Sequence, residues 1–193
     1  MNKISLLKYS ILFGTLSFCV QTSAQQQCNT LQIEQTAPAS RFIVNANQTV
    51  TDRETKLIWK RCPQRYSGSN CTTLEPGFDP QNPNLTLESF SSASQSAEAE
   101  SFAGETDWRL PNIKELSSIV ERACSSPAIN ESIFPGTLFQ DDFRIKAYWT
   151  STAEGVFFSF FGIPAVYTID FGTGEVSFGQ PGIPYRVRLV RGG

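Results

Sequence analysis

Seven residues in the last third of the chain carry chemistry that could hold a ligand. Arg144, Lys146 and Tyr148 lie in "FRIKAYWTST"; Asp170, Glu175, Arg186 and Arg188 lie in "YTIDFGTGEVSFG" and "YRVRLVR". In a strand, successive side chains alternate between faces. The first stretch read that way puts Arg144, Lys146 and Tyr148 on one side and Trp149 on the other, toward a core. Cations beside an aromatic ring suit an anionic sugar, and the wet face of an ordinary strand has the same pattern. In the second group, Thr168 and Asp170 oppose Tyr167, Ile169 and Phe171, while Glu175 and Ser177 oppose Val176 and Phe178. Arg186 and Arg188 likewise oppose Val187 and Leu189. Pairing of these strands would gather Asp170, Glu175, Arg186 and Arg188 on one polar face. That face is either a structural ion-pair network or a binding surface whose planar guanidiniums read carboxylate, sulfate or sugar hydroxyls.

Bond-making chemistry is poorly supplied. The chain has no histidine, which removes the usual general base, the Ser-His-Asp and Cys-His arrangements and HExxH-type metal sites. Asp141 and Asp142 form the obvious carboxylate pair, but neighbours on one backbone point apart, and a solvated loop is expected there. "GFDPQNPN" has oxygen-bearing side chains without the ligand spacing of a calcium loop. The sugar motifs of calcium lectins (Glu-Pro-Asn, Gln-Pro-Asp, Trp-Asn-Asp) are missing. The expectation is a protein that is not an enzyme and takes no cofactor and no metal.

The chain opens with "MNKISLLKYSILFGTLSFCVQTSAQQQ": a basic head, a short apolar run and small residues at Thr22-Ser23-Ala24. The run is too short to cross a bilayer and reads as a signal peptide over 1–24, cleaved on export. The mature part keeps 14 basic against 18 acidic residues, since the signal carries only Lys3 and Lys8. An acidic balance argues against nucleic acid, and a polyanion would need a local basic patch. No other segment is apolar enough for a membrane span. Four cysteines remain, with three possible pairings. Cys62 and Cys71 flank a polar, glycine-containing loop and are natural partners; Cys28 with Cys124 then ties a lead over 25–40 to the end of a helix.

These groups are positioned by an α+β arrangement. Strands are expected near Phe42–Val44, Thr49–Thr51 and Leu57–Lys60, followed by a long Pro-, Asn- and Gly-rich loop over 63–84. Thr86 opens a serine-rich helix to Phe102. "DWRLPNIKEL" then makes a corner: Trp108 and Leu110 enter the core, Pro111 bars helix before it, and Asn112 with Glu115 forms a capping box. Arg109 is placed to clasp a carboxylate or carbonyls across that corner. Ile113, Leu116, Ile119, Val120 and Ala123 make the apolar stripe of the second helix. Strands over Ala147–Thr152 and Tyr185–Arg191 bracket a hairpin about Gly172-Thr173-Gly174. In "GVFFSFFGIPAV" over 155–166, Phe157, Phe158, Phe160 and Phe161 cannot all face inward; they are either buried by the long loop or exposed to a partner.

"TVTDRETKLIWKRC", "DWRLPNIKELSSIVERAC", "PAINESIFPGT", "YWTST", "IDFGTGEV" and "YRVRLVRGG" occur in an order that resembles the Lcl C-terminal domain, a family named after a bacterial collagen-like adhesin. The resemblance covers a domain over 41–193. It implies a C-type-lectin-like fold, with two helices on a small, mostly antiparallel sheet, long loops and two disulfides. It also implies a bacterial host and an exported protein, periplasmic, secreted or at the cell surface. A homo-oligomer, sometimes a trimer, and, in the adhesin, recognition of sulfated glycans follow from the same likeness. The family's Thr-Gly turn before Leu-x-Trp is Thr55-Lys56 here, costing about 1 kcal/mol if the site is left-handed. "YRVRLVR" is similar also to formylglycine-generating enzymes, whose oxidation chemistry needs free thiolates. The leading expectation is a non-catalytic recognition module, adhesin- or lectin-like, for a glycan or a surface protein. The alternatives are an assembly subunit of an envelope complex docking through the Phe-rich loop, and a formylglycine-generating-enzyme-like oxidoreductase.

Overall fold

The computed structural model describes residues 25–78, 86–137, 142–153 and 165–192. The expected signal over 1–24 lies outside the described residues. The fold is α+β with antiparallel sheets. Strands β1 (Gln27–Cys28), β2 (Phe42–Val44), β3 (Thr49–Asp52), β4 (Ile58–Lys60), β5 (Tyr66–Ser67) and β6 (Thr73–Leu74) precede helices α1 (Phe90–Glu98) and α2 (Ile113–Ser118). Then come β7 (Cys124–Ser125), the short helix α3 (Phe143–Lys146), β8 (Ala147–Ala153), β9 (Val166–Asp170), β10 (Glu175–Gly179) and β11 (Val190–Arg191). The largest described sheet has the order β11-β4-β3-β2, so the C-terminal strand pairs among the N-terminal ones. A second sheet runs β10-β9-β8. No helix among the described residues is long and apolar enough to cross a membrane.

Two apolar clusters fill the interior. Trp59, Leu116, Ile119, Ile129, Phe134, Tyr148, Ile169 and Phe171 belong to the first. Ala93, Ala97, Trp108, Trp149, Val187 and Leu189 belong to the second. Both expected disulfides form, Cys28–Cys124 between β1 and β7 and Cys62–Cys71 across the β4–β6 loop. By the chain-entropy account they are worth roughly 5 and 3 kcal/mol.

Three elements differ from the sequence expectation. Helix α1 is capped by Ser89, not Thr86, because Glu88 is held extended in a backbone bridge to Tyr185. Helix α2 stops at Ser118, although Ile119, Val120 and Ala123 of its expected stripe are still buried. The last strand is laddered only at Val190–Arg191; Tyr185 and Arg186 instead make single bridges to Glu88 and Tyr148.

Candidate functional site

The "DWRLPNIKEL" corner is built as a joint. Trp108 is buried and its indole N–H donates to the Phe102 carbonyl at 3.0 Å. Asn112 and Glu115 complete the capping box of α2. Glu115 also takes both Arg109 terminal nitrogens at 2.8 Å, and Arg109 reaches the Gly192 carbonyl at 2.8 Å. The bidentate pair raises the Arg109 pKa. Burial alone would raise that of Glu115, but the Arg109 guanidinium and the Asn112 amide hold it below the usual range. Beside this corner, Arg109, Asn112, Glu115, Ser94, Glu98 and Ser151 line much of an open groove of about 330 Å³.

The two expected ligand faces are not assembled as strand surfaces. Asp142 accepts from the Arg144 amide at 2.9 Å, so Phe143–Lys146 winds into α3 and Arg144 and Lys146 lose strand parity with Tyr148. Arg144 then bends back on Asp142 at 2.6 Å, which lowers the Asp142 pKa and raises that of Arg144. Tyr148 is fully buried with Trp149. On the hairpin, Asp170 and Glu175 do share a face as directly opposed partners. Asp170 pairs with Lys146 at 3.1 Å rather than with an arginine of the last strand. Arg186 and Arg188 keep their predicted parity against Val187 and Leu189, yet all four are buried. Along Arg186–Leu189 alternation separates the two sides, and neither of those two sides meets water. Phe157, Phe158, Phe160 and Phe161, with Asp141 and the 79–85 part of the long loop, lie outside the described residues.

What the structure brings together is a polar cluster beneath the Cys62–Cys71 loop. The Lys60 ammonium, buried at the end of β4, donates to Glu100 at 2.8 Å and to Gln64 at 3.1 Å, and lies 3.6 Å from Glu75. Arg65 lies 4.0 Å from Glu75 and 3.3 Å from Glu88. Glu88 in turn accepts from the Ser96 hydroxyl at 2.7 Å. Deeper in, Arg188 donates to the carbonyls of Lys60 at 3.3 Å and Arg61 at 2.5 Å, and to the Thr137 hydroxyl at 2.8 Å. Its guanidinium stacks 5.1 Å from the Phe134 ring. Burial pushes the Arg188 pKa down to about 10, against the pull of the Tyr148 hydroxyl. Arg186 lies over the Tyr66 ring at 5.2 Å. Two cations, Lys60 and Arg65, thus meet three carboxylates, while among the described residues Arg186 and Arg188 are paired with none of the three. No motif in the sequence marks Lys60, Gln64, Arg65, Glu75, Glu88 or Glu100 as a group. No spacing signal links Lys60 to a carboxylate forty residues away, and the one local cue is that Lys60 and Arg65 flank a cysteine that closes a loop.

A family model for the Lcl C-terminal domain matches residues 48–191, a span that runs from β3 through the Trp108–Glu115 corner to the closing arginine-rich segment. The chain belongs to this family. The match takes in β4, the stapled loop, the corner and the final strand, so every part of the polar cluster is family domain. No curated protein matches the chain.

Proposed function

We propose that this Lcl C-terminal domain chain is an exported, non-catalytic recognition module with a C-type-lectin-like core, binding a glycan or a cell-surface partner. The observation that carries the reading is the gathering of four cations, Lys60, Arg65, Arg186 and Arg188, at a covalently stapled loop in a chain that is acidic overall. The recognition reading also draws support from where the reactive groups are spent. Arg109 with Glu115, Arg144 with Asp142 and Lys146 with Asp170 are locked as pairs, and Cys28, Cys62, Cys71 and Cys124 are oxidised. Oxidised cysteines suit an extracytoplasmic compartment and weigh against thiolate redox chemistry.

A glycan array with the mature protein, run with and without calcium, tests it. Binding that is indifferent to calcium is expected, and weakens when Arg65 is replaced by alanine. An array without any binding sinks the glycan form of the reading. The assembly-subunit reading has one observation in its favour: Val176 and Phe178 stand 48% and 42% exposed on β10, at the edge of its described sheet. A folded protein that binds no glycan but forms a stable higher-order complex, broken by Phe178→Ser, would favour it.

A further inference from the structure

Arg186 is the most anomalous group in the described structure. Its side chain has no solvent exposure, and Nε, Nη1 and Nη2 all lack a hydrogen-bond acceptor among the described residues. A guanidinium offers five N–H donors and stays charged at any physiological pH. Leaving such a group in an apolar interior without partners is among the most unfavourable arrangements a fold can hold. The neighbouring Arg188 is far better partnered: its two terminal nitrogens donate to two carbonyls and a hydroxyl and two aromatic rings lie beside it, leaving its Nε alone without an acceptor among the described residues. Among the described residues, the Arg186 guanidinium has the Tyr66 ring over it and no acceptor. Tyr66 is half-buried and lies in the two-residue strand β5, within the loop closed by Cys62–Cys71, pairing with β6 just beyond that loop.

We propose that Arg186 is the floor of an enclosed site for a small oxyanion, entered by displacement of the Tyr66 hairpin. An oxyanion supplies the missing acceptors and the missing charge together, which a neutral ligand does not. Arg65, the chain neighbour of Tyr66 and partly exposed, puts a second cation in the same loop, paired with Glu88 at 3.3 Å. The enclosure selects a free ion over a polymer. Arg186 is one of the cations on which the recognition reading rests, but the two are tested apart: the ion can bind where a glycan array is blank.

The test is thermal unfolding of the mature, disulfide-intact protein at fixed ionic strength, with chloride exchanged for sodium sulfate, sodium phosphate or N-acetylglucosamine 6-sulfate. A saturable rise in Tm of roughly 5–10 °C is expected at about 100 times Kd of sulfate or phosphate. It would lie on top of the linear, non-saturable rise that sulfate gives any protein. The sulfated sugar should act at least tenfold more weakly; a response to it alone overturns the enclosed-ion site. Arg186→Met should be at least as stable as the wild type in chloride and should lose the saturable rise while keeping the linear one. A purely structural arginine would instead give a variant less stable in every salt, which refutes the proposal. Should Arg186→Met fail to fold, the wild type decides: a strictly linear sulfate response overturns the site. Tyr66→Ala, by uncovering it, should lower the sulfate concentration at half-saturation, and an unchanged value counts against entry through the hairpin.

Discussion

Replacing Asp52 by asparagine should be the most damaging neutral-shape substitution on the N-terminal sheet. Asp52 ends β3 with no solvent exposure and takes both the Nε and Nη2 of Arg41, whose own side chain is 6% exposed. It also accepts from the Thr55 hydroxyl at 2.7 Å and the Glu54 amide at 3.0 Å. Arg41 spends its remaining nitrogen on the carbonyls of Thr36 and Ser118, at 3.2 and 2.9 Å. One ion pair therefore ties the N-terminal lead and the end of α2 to the β2–β3 hairpin. Breaking a buried pair from one side costs about 3–5 kcal/mol, because the other charge stays buried. Glu54, 3.3 Å from Arg41 but largely exposed, compensates in part, which sets the expectation near 3 kcal/mol. For a domain of this size that is a fall in Tm of roughly 6–12 °C. Urea unfolding of wild type, Asp52→Asn, Arg41→Met and the double variant measures it. The double variant should recover most of the loss, since replacing both partners removes the stranded charge. A loss below about 1 kcal/mol, or a double variant no better than Asp52→Asn, would refute the reasoning.

Two further expectations follow from local geometry. Asp52, Asp107, Glu115 and Asp142 all have pKa values held below their usual ones. Burial opposes Arg41 at Asp52 and Arg109 at Glu115, while pairing with Arg191 and Arg144 dominates at Asp107 and Asp142. A lowered carboxylate contributes stability that is complete above its unfolded pKa, near 4, and lost as pH falls through its folded value. Unfolding midpoints should therefore be flat from about pH 5 to 8 and drop below about pH 4; a midpoint that held to pH 2 would contradict the assignment. Lys56 has φ of +64° in the turn before β4, so the side chain stands in left-handed backbone. Lys56→Gly should be neutral to stabilising by about 1 kcal/mol, the strain relieved less the extra freedom of glycine when unfolded. Urea midpoints check it, and a clear loss of stability would show that the lysine contributes more than its backbone costs.

The features legible from the sequence were those set by neighbours in the chain. The Asn112–Glu115 capping box joins residues three positions apart, and the β9–β10 hairpin is set by its own alternation and the Gly172–Gly174 turn, so both were readable. The start of α1 was not, because it depends on Tyr185, almost a hundred residues away, holding Glu88 extended. The strand expected through Arg144 and Lys146 failed for a local reason that was visible but unused: Asp142 precedes it with a side chain able to cap a helical turn. Alternation alone cannot separate four residues of strand from one turn of helix.

The closing strand shows a deeper limit. Period-two reasoning separates Arg186 and Arg188 from Val187 and Leu189, but it carries no information on what covers each side. Here the second apolar cluster takes one side, and the segments around Cys62 and Phe134 take the other. Covering a cation is costly, and the cover is the loop that Cys62–Cys71 closes, with Tyr66 placed over Arg186. A staple worth roughly 3 kcal/mol on the chain-entropy account is of the same order as the effective penalty for a poorly partnered buried ion. The disulfide and the unsatisfied arginine are thus opposing parts of one arrangement. The covalent link holds closed a loop whose underside has a standing electrostatic reason to admit an anion.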